Sequence, residues 1–252
     1  MTMILRALEK HFFELFGVRN SIYLDGINAR IDLLSMSVGD LQDVVRKEIG
    51  RDAYAIALAR IISRFFCIDD HFRGNLRLVV AFSRKYPLSG CSYCHQRPCQ
   101  CSETRLAFSS IELAGVQAGW TLGDWARHLD SVYGERNRRR GIEYVLNRLF
   151  REVEELRGVS RRVPRLTSSA TDILNEYALE IADGIAWTAA AANILGVDLE
   201  QAVLGRFGDG CTSCRTTPCS CTHFAHEQVD WTALRSVPNI SVSRGSEELP
   251  RS

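Results

Sequence analysis

The sequence predicts an all-α protein, built as a helical bundle, and three features support this fold class. Apolar residues recur at helical spacing, as in the N-terminal stretch 1–17. Two pairs of acidic residues are spaced three positions apart, which places both side chains of a pair on one helix face. A run of alanines at 189–192 gives a narrow helix face that permits close packing with a neighbour. The 252 residues are ample for a buried core.

The individual elements follow from these patterns and from their boundary signals. Thr121 is a suitable N-cap for a helix that runs to Tyr133. Residues 20–34 are ambiguous and compatible with extended structure that turns at Asp25-Gly26. Residues 158–169 contain glycine, proline and serine, which indicates a loop, and the tail after residue 235 is expected to be flexible. The other helices are expected at 2–16, 38–48, 52–72, 75–85, 107–117, 139–157 and 171–195, with a last one opening at Val197-Asp198-Leu199.

The two acidic pairs are Glu152 with Glu155 and Glu180 with Asp183, each embedded among apolar residues. Two antiparallel helices would bring all four carboxylates to one point, where like charges repel unless a cation lies among them. A cage made only of carboxylates suits Mg²⁺ or Mn²⁺. The pattern therefore predicts a metal site for phosphate chemistry, and the alternative is a pair of solvated helix faces.

Eight of the nine cysteines form two copies of one spacing, and each copy has a proline before its third cysteine. Four thiolates within so short a segment can close a tetrahedral zinc site, so two structural zinc knuckles are predicted. A redox or disulfide pair in each copy is the alternative. Cys67 is left over and is expected in the core. The ligand sets are Cys91, Cys94, Cys99 and Cys101 in knuckle 1, and Cys211, Cys214, Cys219 and Cys221 in knuckle 2.

A degenerate internal repeat is also predicted. Aligning the chain with itself at an offset of 84 residues matches Leu41 with Trp125 and Gly50 with Gly134, whereas the knuckles align at an offset of 120. In this alignment Ile68 and His71 stand opposite Glu152 and Glu155, and the helix of the second acidic pair has no counterpart. The first copy is therefore expected to be an inactive partner that packs against the second across the bundle.

With these motifs in place, residues 120–204 resemble the MazG-like all-α nucleoside triphosphate pyrophosphohydrolases. The resemblance rests on an ordered set of segments and on a spacer of 24 residues between the acidic pairs, which fits the family pattern ExxE, spacer, ExxD. Arg151 departs from the family, in which this position is often acidic. The matching segments are Leu122–Trp125, Tyr133–Asn137, Leu149–Leu156, Leu179–Asp183 and Ala192–Leu199.

The resemblance implies a helical bundle, commonly assembled as a homodimer or higher oligomer, that binds Mg²⁺ or Mn²⁺ through Glu152, Glu155, Glu180 and Asp183. It implies hydrolysis of a (d)NTP to a (d)NMP and pyrophosphate, with one of the acids available to orient the attacking water. A metal site suits this reaction, because divalent cations neutralise phosphate oxygens and assist a leaving pyrophosphate.

Further residues are candidates for binding this substrate. Arg136, Arg139 and Arg140 form a basic run that would hold the triphosphate tail, although a solvated helix start explains the run equally well. Trp187 would stack on a base or belong to the core, and Asn193 would contact the base or sugar.

Composition limits the other function classes. The net charge of +1 gives no support for a general role at nucleic acid or a membrane surface. Apolar runs stay below the roughly 20 residues that span a bilayer, and the N-terminus has no cleavable-signal pattern, so a cytoplasmic protein is expected. The alternative function is a non-catalytic, zinc-stabilised interaction or nucleic-acid-binding module. The expected units are 1–34, 35–101 ending in knuckle 1, a connector at 102–118, the catalytic repeat 119–204, knuckle 2 at 205–224, and the tail 225–252.

Overall fold

The computed structural model describes residues 2–101, 117–162 and 169–222, together with positions 229, 231 and 234. The described residues are predominantly helical, and extended pairing within them is confined to one bridge between Ile4 and Thr121. The all-α prediction is therefore confirmed. The helices are α1 (Leu5–Tyr23), α2 (Gly26–Arg46), α3 (Arg51–His71), α4 (Leu78–Lys85), α5 (Leu122–Leu129), α6 (Glu135–Arg162), α7 (Ala170–Ile194) and α8 (Leu199–Phe207), with a π-helical segment, Asp130–Gly134, between α5 and α6.

Two predicted segments differ from the structure. The interpretation of residues 20–34 as extended is wrong, because α1 continues to Tyr23 and α2 begins at Gly26. The turn signal at Asp25-Gly26 marks the junction between these helices, where Gly26 has a φ of 72°. The predicted loop at 158–169 is also too long, since α6 runs to Arg162 and buries Val159. The predicted helix at 107–117 lies almost wholly outside the described residues, as does the tail after residue 235.

The helix boundary predicted at Thr121 is confirmed in detail. Its hydroxyl accepts a hydrogen bond from the amide of Asp124 at 3.1 Å, and the Asp124 carboxylate accepts one from the amide of Thr121 at 2.9 Å. This reciprocal capping box satisfies two amides that a helix start leaves unpaired. A second capping box, between Ser169 and Asp172, starts α7.

The core lies between two helix pairs, α2 with α3 and α6 with α7, and α2 packs on α6 while α3 packs on α7. Helix α3 occupies the centre and also contacts α1 and α8. Its apolar residues Leu58, Ile61, Ile62, Phe65 and Ile68 are completely buried. Burying side chains of this size stabilises the fold by about 1.5–3 kcal/mol each.

Helix α3 packs closely against α7 at Gly184. A Cβ atom at this position would lie 2.2 Å from Cζ of Phe65, whose ring is completely buried. Only a glycine leaves room for the ring, so Gly184 fixes the distance between the two helices next to Asp183.

Each knuckle contacts the half of the chain to which it does not belong, where the first half is residues 2–101 and the second half is residues 117–222 without 163–168. The amide of Cys99 in knuckle 1 donates to the carbonyl of Val132 at 2.8 Å, and the amide of Cys219 in knuckle 2 donates to the carbonyl of Leu15 at 2.8 Å. The segments on which the two knuckles dock have related sequences, Leu15-Phe16-Gly17-Val18-Arg19-Asn20 and Val132-Tyr133-Gly134-Glu135-Arg136-Asn137. Each knuckle thus docks on the opposite half.

These docking contacts relate α1 to the π segment and the start of α6, whereas the 84-residue offset related α3 to α6. The internal repeat therefore stays a prediction. The packing of α2 on α6 and of α3 on α7 brings the two halves into contact.

Both knuckles have the geometry of a zinc site. In each knuckle the four sulfur atoms lie within 4.8 Å of one another. The Sγ–Sγ distances Cys91–Cys101 and Cys211–Cys221 are 3.7 and 3.8 Å. A tetrahedral site with Zn–S bonds of about 2.3 Å requires about 3.8 Å, whereas a disulfide requires about 2.05 Å. All nine cysteines are unbridged.

We therefore expect about two zinc ions per chain by metal analysis of the purified protein. Cys99→Ser and Cys219→Ser should each lower the content to about one, because a site with three thiolates holds zinc less tightly. Cys67→Ser is the matched control, since Cys67 is buried against Arg30 and belongs to neither four-cysteine cluster, and it should leave two. Absence of zinc, with disulfides found by mass spectrometry, would contradict this assignment.

Candidate functional site

Three of the four predicted carboxylates converge where α6 and α7 run antiparallel. Oxygen atoms of Glu152, Glu180 and Asp183 lie within 4.8 Å of one another. Glu155 lies outside this group but lines the same cavity, and its carboxylate accepts a hydrogen bond from Arg151 Nε at 2.8 Å. The sequence spacing therefore located a cluster of three acids, with the fourth at its border.

The cluster is electrostatically unfavourable without a counter-ion. Burial, together with the neighbouring Asp183 and Glu155, raises the pKa of Glu152 to about 8. Burial raises the pKa of Glu180 to about 7, and Lys85 opposes this shift. One carboxylate oxygen of each, Oε2, is buried without a hydrogen-bond partner. Unpartnered carboxylate oxygens in a cluster of three acids fit a hard divalent cation such as Mg²⁺ or Mn²⁺.

Two residues from the first half of the chain reach this cluster. Lys85, the last residue of α4, forms an ion pair with Oδ2 of Asp183 and donates to the carbonyl of Leu179 at 3.3 Å. The hydroxyl of Tyr86 donates to Oδ1 of Asp183. Sequence reasoning missed both residues, because no local spacing announces that α4 packs on α7. Burial and the adjacent Asp183 raise the pKa of Tyr86, so its hydroxyl stays a neutral donor.

Glu152, Glu155 and Asp183 line a cavity of about 500 Å³, a size suited to a small-molecule ligand, whereas Glu180 is not part of its lining. Its walls come from α4, the π segment, α6, α7 and knuckle 1. Arg148 bridges two parts of the wall, since its guanidinium lies 3.5 Å from Oε1 of Glu152 and 5.4 Å from the Trp187 ring centre. The ring of Tyr144 lies edge-on to Trp187 at 6.1 Å. The cavity thus joins a carboxylate cluster to a wall of arginine and aromatic side chains.

Four of the five predicted substrate-binding residues line this cavity. They are Arg136, Arg140, Trp187 and Asn193. Asn193 Nδ2 also donates to the carbonyl of Ala126 at 3.1 Å, which fixes the orientation of the amide. Arg139 is absent from the cavity lining and forms an exposed ion pair with Glu135.

Three further lining residues escaped sequence reasoning. Arg148 precedes Glu152 by one helical turn, and this spacing is the signal that would have revealed it. Tyr144 follows Arg140 at the same spacing, with the guanidinium 4.7 Å from its ring centre. Asn137 has a buried side-chain oxygen without a hydrogen-bond partner.

Knuckle 1 contributes to the wall directly. Ser92, Tyr93 and Cys101 line the cavity. The amide of Ser92 donates to the hydroxyl of Tyr133 at 3.4 Å, and the guanidinium of Arg136 contacts Sγ of Cys99 at 3.6 Å. The cysteine cluster therefore supports the arginine that faces the cavity.

No protein-family model, curated protein or solved structure matches this chain. Among the helices of the described ranges, none combines the length and the apolarity that a membrane crossing requires.

Proposed function

We propose that this protein is a Mg²⁺-dependent nucleoside triphosphate pyrophosphohydrolase, which converts a (d)NTP and water to a (d)NMP and pyrophosphate. The observation that carries the proposal is the cluster of Glu152, Glu180 and Asp183, of which Glu152 and Asp183 line a cavity that also has arginines on its wall. Carboxylates hold the metal that a triphosphate requires, and guanidinium groups bind phosphate oxygens in a planar, bidentate manner. The resemblance to MazG-like enzymes supports the same assignment.

The roles follow from position in the cavity. Glu152, Glu180 and Asp183 would hold Mg²⁺, which when bound supplies a positive charge for the phosphate oxygens. Arg136, Arg140 and Arg148 face the same space and would neutralise the triphosphate. Glu155 lines the cavity outside the cluster, and in this proposal it would orient the water that attacks the α-phosphorus and accept its proton. Trp187 offers an aromatic surface for the base.

A nucleotide screen tests this proposal. The protein with Mg²⁺ or Mn²⁺ is incubated with each of the NTPs and dNTPs, and the products are separated by anion-exchange chromatography. We expect monophosphate and pyrophosphate from at least one nucleotide, and a loss of at least about 10²-fold in kcat/KM for Asp183→Asn. Glu176→Gln, on the same helix but paired with Arg162 outside the cavity, is the control.

Two outcomes would contradict the proposal. Diphosphate and inorganic phosphate as products would indicate cleavage at the wrong bond. Absence of hydrolysis for every nucleotide, in protein with full zinc content, would favour a non-catalytic zinc-stabilised module instead.

A further inference from the structure

Both carboxylate oxygens of Asp183 are engaged by residues of the first half of the chain. Lys85 pairs with Oδ2 and Tyr86 donates to Oδ1. The Lys85 side chain is only 23% exposed and that of Asp183 only 19%, so this ion pair is shielded from water. Helix α4 therefore contributes directly to a cluster whose acids all belong to the second half.

The position of Lys85 is not explained by helix capping. A cation in the last turn of a helix ordinarily interacts with the final carbonyls of that helix. Lys85 instead crosses to α7, where it contacts the carbonyl of Leu179 as well as Asp183. Its neighbour Arg84 occupies the same turn of α4 but is exposed.

The ion pair has a consequence for metal binding. A divalent cation bound by Glu152, Glu180 and Asp183 must take over an oxygen of Asp183. Oδ2, which pairs with the ammonium group of Lys85, is the available one, because Oδ1 accepts a hydrogen bond from the hydroxyl of Tyr86. Once displaced, the ammonium group still lies on the wall of the cavity, where the phosphates of a bound nucleotide would be.

We infer that Lys85 exchanges partners during the reaction cycle, from Asp183 in the metal-free protein to a phosphate oxygen in the metal–nucleotide complex, while Tyr86 holds Asp183 in its ligating orientation. The second part of this inference, the transfer of Lys85 to a phosphate oxygen, rests on the proposed function. The competition between Lys85 and the metal for Asp183 does not rest on the proposed function, because it concerns metal binding in the absence of a nucleotide. The catalytic site is then composite, with acids from one half of the chain and a phosphate-binding cation from the other.

The competition between Lys85 and the metal is tested by measuring Mn²⁺ binding to the zinc-loaded full chain with electron paramagnetic resonance. Lys85→Met should bind Mn²⁺ about five- to tenfold more tightly than the wild type, since it lacks the competing cation. Tyr86→Phe should bind it about tenfold less tightly, since the supporting hydrogen bond to the ligand is lost. Arg84→Met is the matched control and should leave the affinity unchanged.

The contact of Lys85 with a phosphate oxygen is tested by steady-state kinetics at saturating Mn²⁺. Lys85→Met should lower kcat/KM by about 10²-fold although its metal site is filled, and Lys85→Arg should restore part of the loss because it retains the positive charge. A merely structural lysine would change activity and metal affinity in the same direction, which would overturn the inference.

The two proposals fail in different ways. If the wild type hydrolyses no nucleotide, the proposed function fails, whereas tighter Mn²⁺ binding by Lys85→Met still supports competition at Asp183. If Lys85→Met leaves Mn²⁺ affinity unchanged, the exchange is overturned whatever the activity. Lys85→Gln is a second variant with the same expectation, should the methionine variant fail to fold.

Discussion

Glu152→Gln is expected to abolish Mg²⁺-dependent pyrophosphate release, with a loss of about 10³-fold or more in kcat/KM, equivalent to about 4 kcal/mol of transition-state stabilisation. The substitution preserves the shape of the side chain but removes the charge that would hold the metal. Glu152 is the most buried acid of the cluster, at 1% exposure, and a neutral amide in its place lacks the charge that favours the cation. The measurement is steady-state release of pyrophosphate at saturating Mg²⁺.

The same variant should be more stable than the wild type at alkaline pH when metal is absent. Folding raises the pKa of Glu152 from its ordinary value near 4.5 to about 8. The free energy of unfolding of the wild type should therefore be highest below about pH 4.5, as far as this group is concerned, and decrease as the pH rises towards 8. Glutamine carries no charge at any of these pH values, so this contribution disappears. We expect a gain of about 1–2 kcal/mol at pH 9 for Glu152→Gln, less than full linkage gives because the cavity admits solvent.

Glu154→Gln provides the matched control for both effects. Glu154 lies on the same helix, is exposed and pairs with Arg157 at the surface. Its substitution should leave activity unchanged and alter stability by less than about 0.5 kcal/mol. If Glu152→Gln retained wild-type activity, the assignment of the metal site to this cluster would be wrong.

Gly184→Ala should produce a large loss of stability. The added Cβ atom would lie 2.2 Å from Phe65 Cζ, and the ring it meets is completely buried. Helices α3 and α7 must separate, which we expect to cost about 3 kcal/mol, at the upper end for overpacked cores. For a chain of this length the thermal midpoint would decrease by about 6–12 °C, which differential scanning calorimetry would detect.

Two further variants separate the clash from a general effect of alanine. Phe65→Leu in the Gly184→Ala background should recover part of the loss, because the shorter side chain vacates the contested volume. Gly205→Ala places the same substitution in α8, where a Cβ atom would meet nothing within 4 Å. It should stabilise the protein by up to about 1 kcal/mol through helix propensity. Equal stability of the Gly184→Ala variant and the wild type would contradict the close approach described above.

Local patterns in the sequence were sufficient to predict the helices, the cap at Thr121 and the two cysteine clusters. Each of these depends on residues within a few positions of one another. The ambiguity of residues 20–34 has a local cause as well, because Asp-Gly signals a turn without specifying whether strands or helices flank it. The buried face of α2, formed by Ile31, Leu34, Val38 and Leu41, follows helical spacing and outweighs the turn signal.

The composite nature of the acid cluster was beyond sequence reasoning. Spacing placed Glu152 with Glu155 and Glu180 with Asp183, but it gave no indication that Lys85 and Tyr86 would approach from a helix almost a hundred residues earlier. Such an approach depends on how α4 packs against α7, which is a property of the assembled core. For the same reason Arg139 and Arg140, adjacent in the chain, have different surroundings, one paired at the surface and the other in the cavity.

The crossed docking of the knuckles bears on how the chain unfolds. The backbone amide of Cys99 donates a hydrogen bond to the carbonyl of Val132, and that of Cys219 donates to the carbonyl of Leu15. Each half therefore holds the other's cysteine cluster in place. Opening of one half withdraws the support of the other, so the two halves form a single cooperative unit rather than two independent domains. If the chain were cut between the halves, each fragment would contain one knuckle but not the segment on which that knuckle docks.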